Sequence, residues 1–295
     1  MSIDRALRSG RRAGSGIGQS RGHAILVASE MALALTLLVG SSLLIRTVVA
    51  LEHVDPGFDG HGVLTAQTAI IGRAFATPEP IAQLARTGVD RLSVLAGVEG
   101  AAASLTGAPL DGDTSALNIG IVGRPRDDEY SYAVYWNVVS PRYFDVLKIP
   151  ILRGRGFTDV DRRGATPVAL INNALARRYW PGGDPLGDSL VIGPQIGGEF
   201  EETVPRQIIG IVGDLRRRSL RYSPHPAVYI PVGQLSDNQA SLYNRLGVPV
   251  TWIIRTREEP RVSGTLVERE IRAFSRGLPL LQTRSMDTVV ASSMA

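Results

Sequence analysis

Asp159 and Asp161, followed by Arg162 and Arg163, could form a carboxylate pair for acid and base chemistry. Such work needs two acids whose surroundings push their pKa values apart, and nothing along this stretch points to burial. The segment reads as a solvated turn. Asp111-Gly112-Asp113-Thr114-Ser115 begins like a calcium loop, but Ala116 and Val122 occupy the places of the turn glycine and the bidentate glutamate. A polar surface turn is expected there. Arg216-Arg217-Arg218 offers three cations to a phosphate or an acidic partner, and the plainer expectation is an exposed strand end. His23, His53, His61 and His225 are scattered through linker-like sequence without metal-ligand spacing.

Nucleotide chemistry is excluded more sharply. No Gly-x-x-x-x-Gly-Lys-Ser/Thr occurs, and Lys148, the only lysine, stands in Leu147-Lys148-Ile149-Pro150. A P-loop needs a nest of glycine amides and a lysine on the phosphates, so any hydrolysis of ATP must come from a partner. Gly14-Ser15-Gly16-Ile17-Gly18 resembles a dinucleotide loop only superficially, since no strand precedes it. His-Glu-x-x-His, Gly-x-Ser-x-Gly and Ser-x-x-Lys are absent, as is cysteine, which removes disulfides, thiolate metal sites and a thiol nucleophile. No catalytic, cofactor-binding or metal-binding residue is therefore assigned, no cofactor is expected, and the chain is expected not to be an enzyme.

The elements that would position these residues emerge from periodicity. Asp55-Pro56-Gly57-Phe58-Asp59 is a turn, and Val63 to Ile70 reads as a strand. A helix opens at Pro78 or Pro80, with Ile81, Leu84, Val89, Leu92 and Leu95 on roughly one face; Gly97 can end it before a strand at Val98 to Leu105. The pattern returns near the end of the chain, with a strand at Val250 to Arg255, a helix from Pro260 to Phe274 and a strand at Leu278 to Thr283. Two β-α-β units separated by an insertion predict a split α+β sandwich rather than a doubly wound sheet. Between them, Ala133 to Val139 is strand-like, Ser140-Pro141 caps a short helix through Leu147, and glycines and prolines punctuate the chain from Gly154 to Gly187. Strands are expected at Val168 to Ile171, Gln207 to Val212 and Ala227 to Ile230, and a helix at Ala174 to Tyr179. The inserted, loop-rich subdomain is placed near residues 137–207.

With 295 residues and 44% apolar content the chain can bury a real core. Its net charge of +4 and pI near 9.7 rest on dispersed arginines, five of which (Arg5, Arg8, Arg11, Arg12, Arg21) precede the first apolar run. Topology explains them better than nucleic acid, which is not expected as a partner. From Ala24 to Ile45 the chain carries 22 residues with a single charge, Glu30, enough at helical rise to cover ~33 Å. The run is longer than the apolar core of a signal peptide, and Thr47-Val48-Val49-Ala50 is a poor cleavage signal. An uncleaved anchor is expected over 23–46, in preference to a signal peptide or a buried soluble helix. Residues 1–22 read as a flexible basic cytoplasmic tail. Glu52, Asp55 and Asp59 come after the run, so the positive-inside rule puts the N-terminus in the cytoplasm and residues 51–295 outside. Glu30 is a functional candidate or a residue facing a neighbouring helix.

Several stretches then resemble a known family: Ala32-Leu33-Ala34-Leu35, Asp55-Pro56-Gly57-Phe58, Val139-Ser140-Pro141-Arg142-Tyr143-Phe144, Leu152-Arg153-Gly154-Arg155-Gly156-Phe157, Ala176-Arg177-Arg178-Tyr179-Trp180-Pro181, Asp184-Pro185-Leu186-Gly187 and Ile211-Val212-Gly213-Asp214. In order and spacing they are similar to the MacB-like permeases of ABC systems, with particular similarity to the duplicated permeases of acidobacteria. The resemblance implies one membrane helix followed by a periplasmic core domain, made of a porter-like β-α-β subdomain and an inserted irregular one. Three further helices come after the domain in that family, whereas this chain stops at Ala295, which implies a truncated product or one piece of a duplicated permease. It also implies a non-catalytic role, in which the domain converts helix motion driven by a cytoplasmic ABC ATPase into work outside the inner membrane. The implied partners are that ATPase, other permease segments or a second permease copy, and the lipid bilayer. A single-pass sensor or ligand-binding module is the alternative; a membrane-tethered hydrolase lacks a recognisable nucleophile and base.

Overall fold

A computed structural model of the chain describes residues 16–52, 54–111, 116–124, 133–193, 204–217, 219–257 and 260–294. These fall into two compact units, Met1–Val54 and Asp55–Ala295.

The first unit is the helix α1 (Gly16–Glu52), whose portion Ile25–Arg46 is long and apolar enough to cross a membrane. Leu33, Leu37 and Leu44 on it are exposed, a surface suited to hydrocarbon. Two of its hydroxyls are satisfied within the helix, as a lipid environment favours: Ser29 Oγ donates to the Leu26 carbonyl at 2.8 Å and Thr36 Oγ1 to that of Ala32 at 2.7 Å. The sequence reading starts the helix at 23, whereas α1 starts at Gly16 and takes in the end of the stretch expected to be flexible. Once an apolar helix is nucleated, each added residue gains a backbone hydrogen bond at little further entropic cost. Residues 1–15, with most of the basic tail, lie outside the described residues.

The second unit opens with β1 (Val63–Ala69), α2 (Pro78–Ser93) and β2 (Val98–Ser104). Pro78 sits in the first turn of α2, where its missing N–H costs nothing, and Ile81, Leu84, Ala85, Gly88, Val89 and Leu92 form one buried face. The helix stops at Ser93, before the expected Gly97, which takes a left-handed turn (φ 82°) into β2. From the other end of the chain come β10 (Pro249–Thr256), α6 (Pro260–Phe274) and β11 (Leu280–Ser285). The four strands interleave antiparallel in the order β11-β1-β10-β2. Trp252 of β10 meets Phe274 edge-on at 5.1 Å and donates from its indole to Thr68 Oγ1 at 2.9 Å. Burying side chains of this kind stabilises the fold by ~1.5–3 kcal/mol each.

The remaining strands are β3 (Ala116–Ile121), β4 (Ala133–Val139), β5 (Ile151–Gly154), β6 (Val168–Asn172), β7 (Ser189–Ile192), β8 (Arg206–Val212) and β9 (Ala227–Pro231), with helices α3 (Tyr143–Val146), α4 (Asn173–Tyr179), α5 (Asp237–Leu246) and, at the end, α7 (Met286–Met294). Pairing runs β4-β3-β7-β8-β6-β9, and β9 pairs in parallel with β4, so the circuit closes. Closure removes unpaired edges from the ring and allows Val134, Trp136, Ile171, Ile208, Ile230 and others to share the buried core. Of these described strands, β5 lies off the circuit, on β8. The other strands and helices expected in the second unit appear within about two residues, the C-terminal end of α2 excepted, while β3, β5, β7, α5 and α7 have no counterpart in the sequence reading; β5 and β7 are too short for a period to show.

Candidate functional site

Several of the residues that could do chemistry, Asp161, Arg216 and Arg217 among them, are spent on holding the fold. Among the described residues no group of three or more His, Asp or Glu could hold a metal. His61 is 95% exposed, with Nδ1 3.2 Å from Asp59. The His225 ring tilts against Tyr135 at 5.2 Å. His53 and the side chain of His23 lie outside the described residues, as do Asp113 and Arg218.

Asp161 does not lie in a solvated turn. It is 5% exposed and receives both guanidinium nitrogens of Arg155, at 2.7 and 2.9 Å, and the Thr158 amide at 2.8 Å. Burial alone would raise its pKa, but the arginine and the amide outweigh burial and hold it below the usual carboxylate range. Asp159 is exposed and not part of this arrangement, so no acid and base pair forms. Asp111 accepts from Gln67 Nε2 at 2.9 Å and from Arg284, tying the end of the first loop to β1 and β11.

The arginine cluster is likewise internal. Arg217 is 4% exposed and donates to Asn137 Oδ1 on β4 and to the Thr106 carbonyl, while its own carbonyl accepts from Leu110. Arg216 donates to the carbonyls of Asp55, Leu220 and Tyr222, and its amide to the Pro56 carbonyl at 3.0 Å. The expected exposed strand end is thus a pin, because residues 213–217 run through the protein after β8 instead of leaving its surface. Beside the pin, the hydroxyls of Tyr143 and Tyr229 are buried and find no partner among the described residues. Burial pushes Tyr143 up to about 12 against the pull of the Arg217 charge, and raises Tyr229 further.

These contacts converge where the chain enters the second unit. Gly57 has φ +83°, and a Cβ there would stand 1.9 Å from the Asp214 carbonyl oxygen, so Asp55-Pro56-Gly57 lies directly on the end of Ile211-Val212-Gly213-Asp214. Asp214 in turn caps α4, accepting the Ala174 amide at 2.7 Å and Arg177 at 3.1 Å. Two residues beyond Gly57, Asp59 accepts Lys148 Nζ at 2.7 Å. Arg255, 4% exposed at the end of β10, donates to the carbonyls of Asp59 (2.6 Å), His61 (2.8 Å) and Val146 (2.7 Å). Burial would raise Asp59, but Lys148, the His61 amide and Arg255 bring it down to about 2. On the far side of the same loop, Ser219 Oγ donates to the Ser293 carbonyl of α7 at 3.3 Å. Sequence reasoning did not single out Arg255 or Asp214 as anchors; a charge ending an otherwise apolar β10 was the available signal.

The model of the MacB-like periplasmic core domain matches residues 31–274. Over 79 residues the chain is 37% identical to the probable syringafactin export ATP-binding/permease protein SyfD of Pseudomonas syringae pv. tomato, covering 26% of this chain and about a tenth of that protein's length. The periplasmic region of MacB from Actinobacillus actinomycetemcomitans superposes with a TM-score of 0.50 at 14% identity, over 82% of this chain and 97% of that one. The extracellular domain of the noncanonic ABC-type transporter YknZ from Gram-positive bacteria gives 0.45 at 17%, over 74% and 100%.

Proposed function

Because the chain belongs to the family of MacB-like periplasmic core domains, we propose that it transmits ATPase-driven motion of membrane helices to an extracytoplasmic domain. A domain of this kind belongs to ABC-type permeases, and an apolar N-terminal helix preceding it fits an inner-membrane protein with its main unit outside the cytoplasm. The arginines ahead of the apolar run support a cytoplasmic N-terminus. The partners in this reading are a cytoplasmic ABC ATPase, further permease segments or a second permease copy, and the bilayer; the chain itself is non-catalytic.

One observation carries the coupling role: the loop 213–219 holds the incoming segment Asp55-Pro56-Gly57 through Arg216 and the outgoing α7 through Ser219, and inserts Arg217 between Thr106 and β4. In this reading a pull on either end of the unit reaches the ring through the contacts of Arg216, Arg217 and Ser219. The same pairing supports a wider insert than the expected 137–207: the ring strands run from Ala116 to Pro231, within the stretch between β2 and β10. The test is Arg216→Ala in the complete permease reconstituted with its ATPase. Coupling through this loop predicts retained nucleotide hydrolysis with loss of its stimulation by the permease; unchanged stimulation would overturn the reading.

A further inference from the structure

A cleft of about 310 Å³ lies between α2 and the loops that come after β4, β5 and β9. That is the low end of the range for small-ligand sites, which favour seams between packed parts of a protein. One wall carries Arg86 and Asp90, one turn apart on α2, and the other carries Asp145, Asp159 and Arg162, with Val89 among the apolar lining. None of these five charged side chains has an ion pair or side-chain hydrogen bond among the described residues, although Arg86 and Asp90 have the spacing to pair with each other. Two further charged residues of the lining are already committed, Asp161 to Arg155 and Arg142 to Ser93 Oγ at 3.2 Å.

Unpaired charges of both signs on facing walls discriminate by ligand class. A simple anion satisfies Arg86 and Arg162 but meets the three carboxylates, and a simple cation meets the reverse; a molecule with an ammonium at one end and a carboxylate at the other satisfies both sets by charge-assisted hydrogen bonds. The volume suits a ligand of a few residues, and Val89 offers contact to its aliphatic middle. We propose that this cleft binds short zwitterionic peptides through their free termini. The proposal does not rest on the coupling role, since binding needs no ATPase.

The experiment measures binding of trialanine with free termini to the full chain in detergent micelles, by calorimetry, against N-acetyl-trialanine amide. Asp90→Asn and Arg162→Gln are each compared with the unaltered chain, with thermal unfolding as the check on folding; Arg86→Gln replaces either variant that does not fold. Binding should weaken about tenfold or more when both termini are blocked and about tenfold in each folded variant, one such factor corresponding to a single lost charge contact. No binding up to about 10 mM, a range covering the weakest specific sites, overturns the proposal. So does equal binding of the blocked peptide, or indifference of the folded variants.

Discussion

Leu64, near the start of β1, is the register partner of Ser285, the last residue of β11. The strands are antiparallel, so the chain enters the second unit and leaves its last strand at the same edge. Gly60 reinforces the arrangement, because a Cβ there would come within 2.9 Å of Met286, the first residue of α7. Under the proposed coupling role, two ends held this close together would let the unit be displaced as a body.

Gly57→Ala tests the fit of the incoming segment. The left-handed backbone alone costs ~1–2 kcal/mol for alanine, and the overlap with the Asp214 carbonyl forces that backbone apart. The expected loss is ~2–4 kcal/mol in urea unfolding. Gly164→Ala, at φ +88° with nothing within 4 Å, should lose only the backbone share. Equal losses at both positions would remove the close approach as the cause.

Gly88→Ala sets two effects against each other. In a helix interior alanine is favoured over glycine by ~1 kcal/mol, but here its Cβ falls 2.4 Å from the ring of Trp252 and 3.0 Å from Phe274. Overpacking of this kind costs ~1–3 kcal/mol, so net destabilisation is expected, together with a changed tryptophan emission. A variant more stable than the parent would show that Trp252 can give way.

Stability should fall at both ends of the pH scale for separate reasons. Asp59 is held at about 2 in the folded protein against an ordinary 3.8, so its contribution is present above 3.8 and is lost as pH falls through 2. Asp59→Asn should flatten the acid limb of a plot of urea midpoint against pH. Tyr143 is raised from 10.0 to about 12, so its neutral form contributes fully below 10 and that contribution is lost as pH rises towards 12. Tyr143→Phe should flatten the alkaline limb. An unaltered limb in either variant assigns the slope to other groups.

Arg217→Ala should destabilise by ~2–4 kcal/mol, since it strands the Asn137 oxygen and the Thr106 carbonyl in a buried place. Arg163→Ala removes an exposed bidentate contact with Asp237 at 2.8 and 3.0 Å and should cost under ~1 kcal/mol. Chemical denaturation of the two variants side by side separates the buried pin from the surface pair.

Membrane orientation is checked by single cysteines, which the chain otherwise lacks. Ser9→Cys should react with a membrane-impermeant thiol reagent only from the cytoplasmic side and Ser236→Cys only from outside. Labelling of both from one side would reject the proposed orientation.

The sequence by itself determined what depends on neighbours along the chain. The apolar run that became α1, the Pro78 and Pro260 helix starts and the strand at Ala133–Val139 all come from periodicity and punctuation. The lack of a phosphate loop could be read in the same way. Even α5, absent from the sequence reading, carried a local signal in the capping box of Ser236 and Gln239 and the left-handed Gly247. Tertiary structure alone decided which chain segments meet. Arg217 and Asp161 have the types and flanks of surface residues; they are buried because Thr106, Asn137 and Arg155 come to them through folding. The closing pairing of β4 with β9 joins Tyr135 to Ala227. A strand's alternation shows which face it buries, but many strands could cover that face equally well, and the choice among them is made by packing and by the few polar contacts that burial must satisfy.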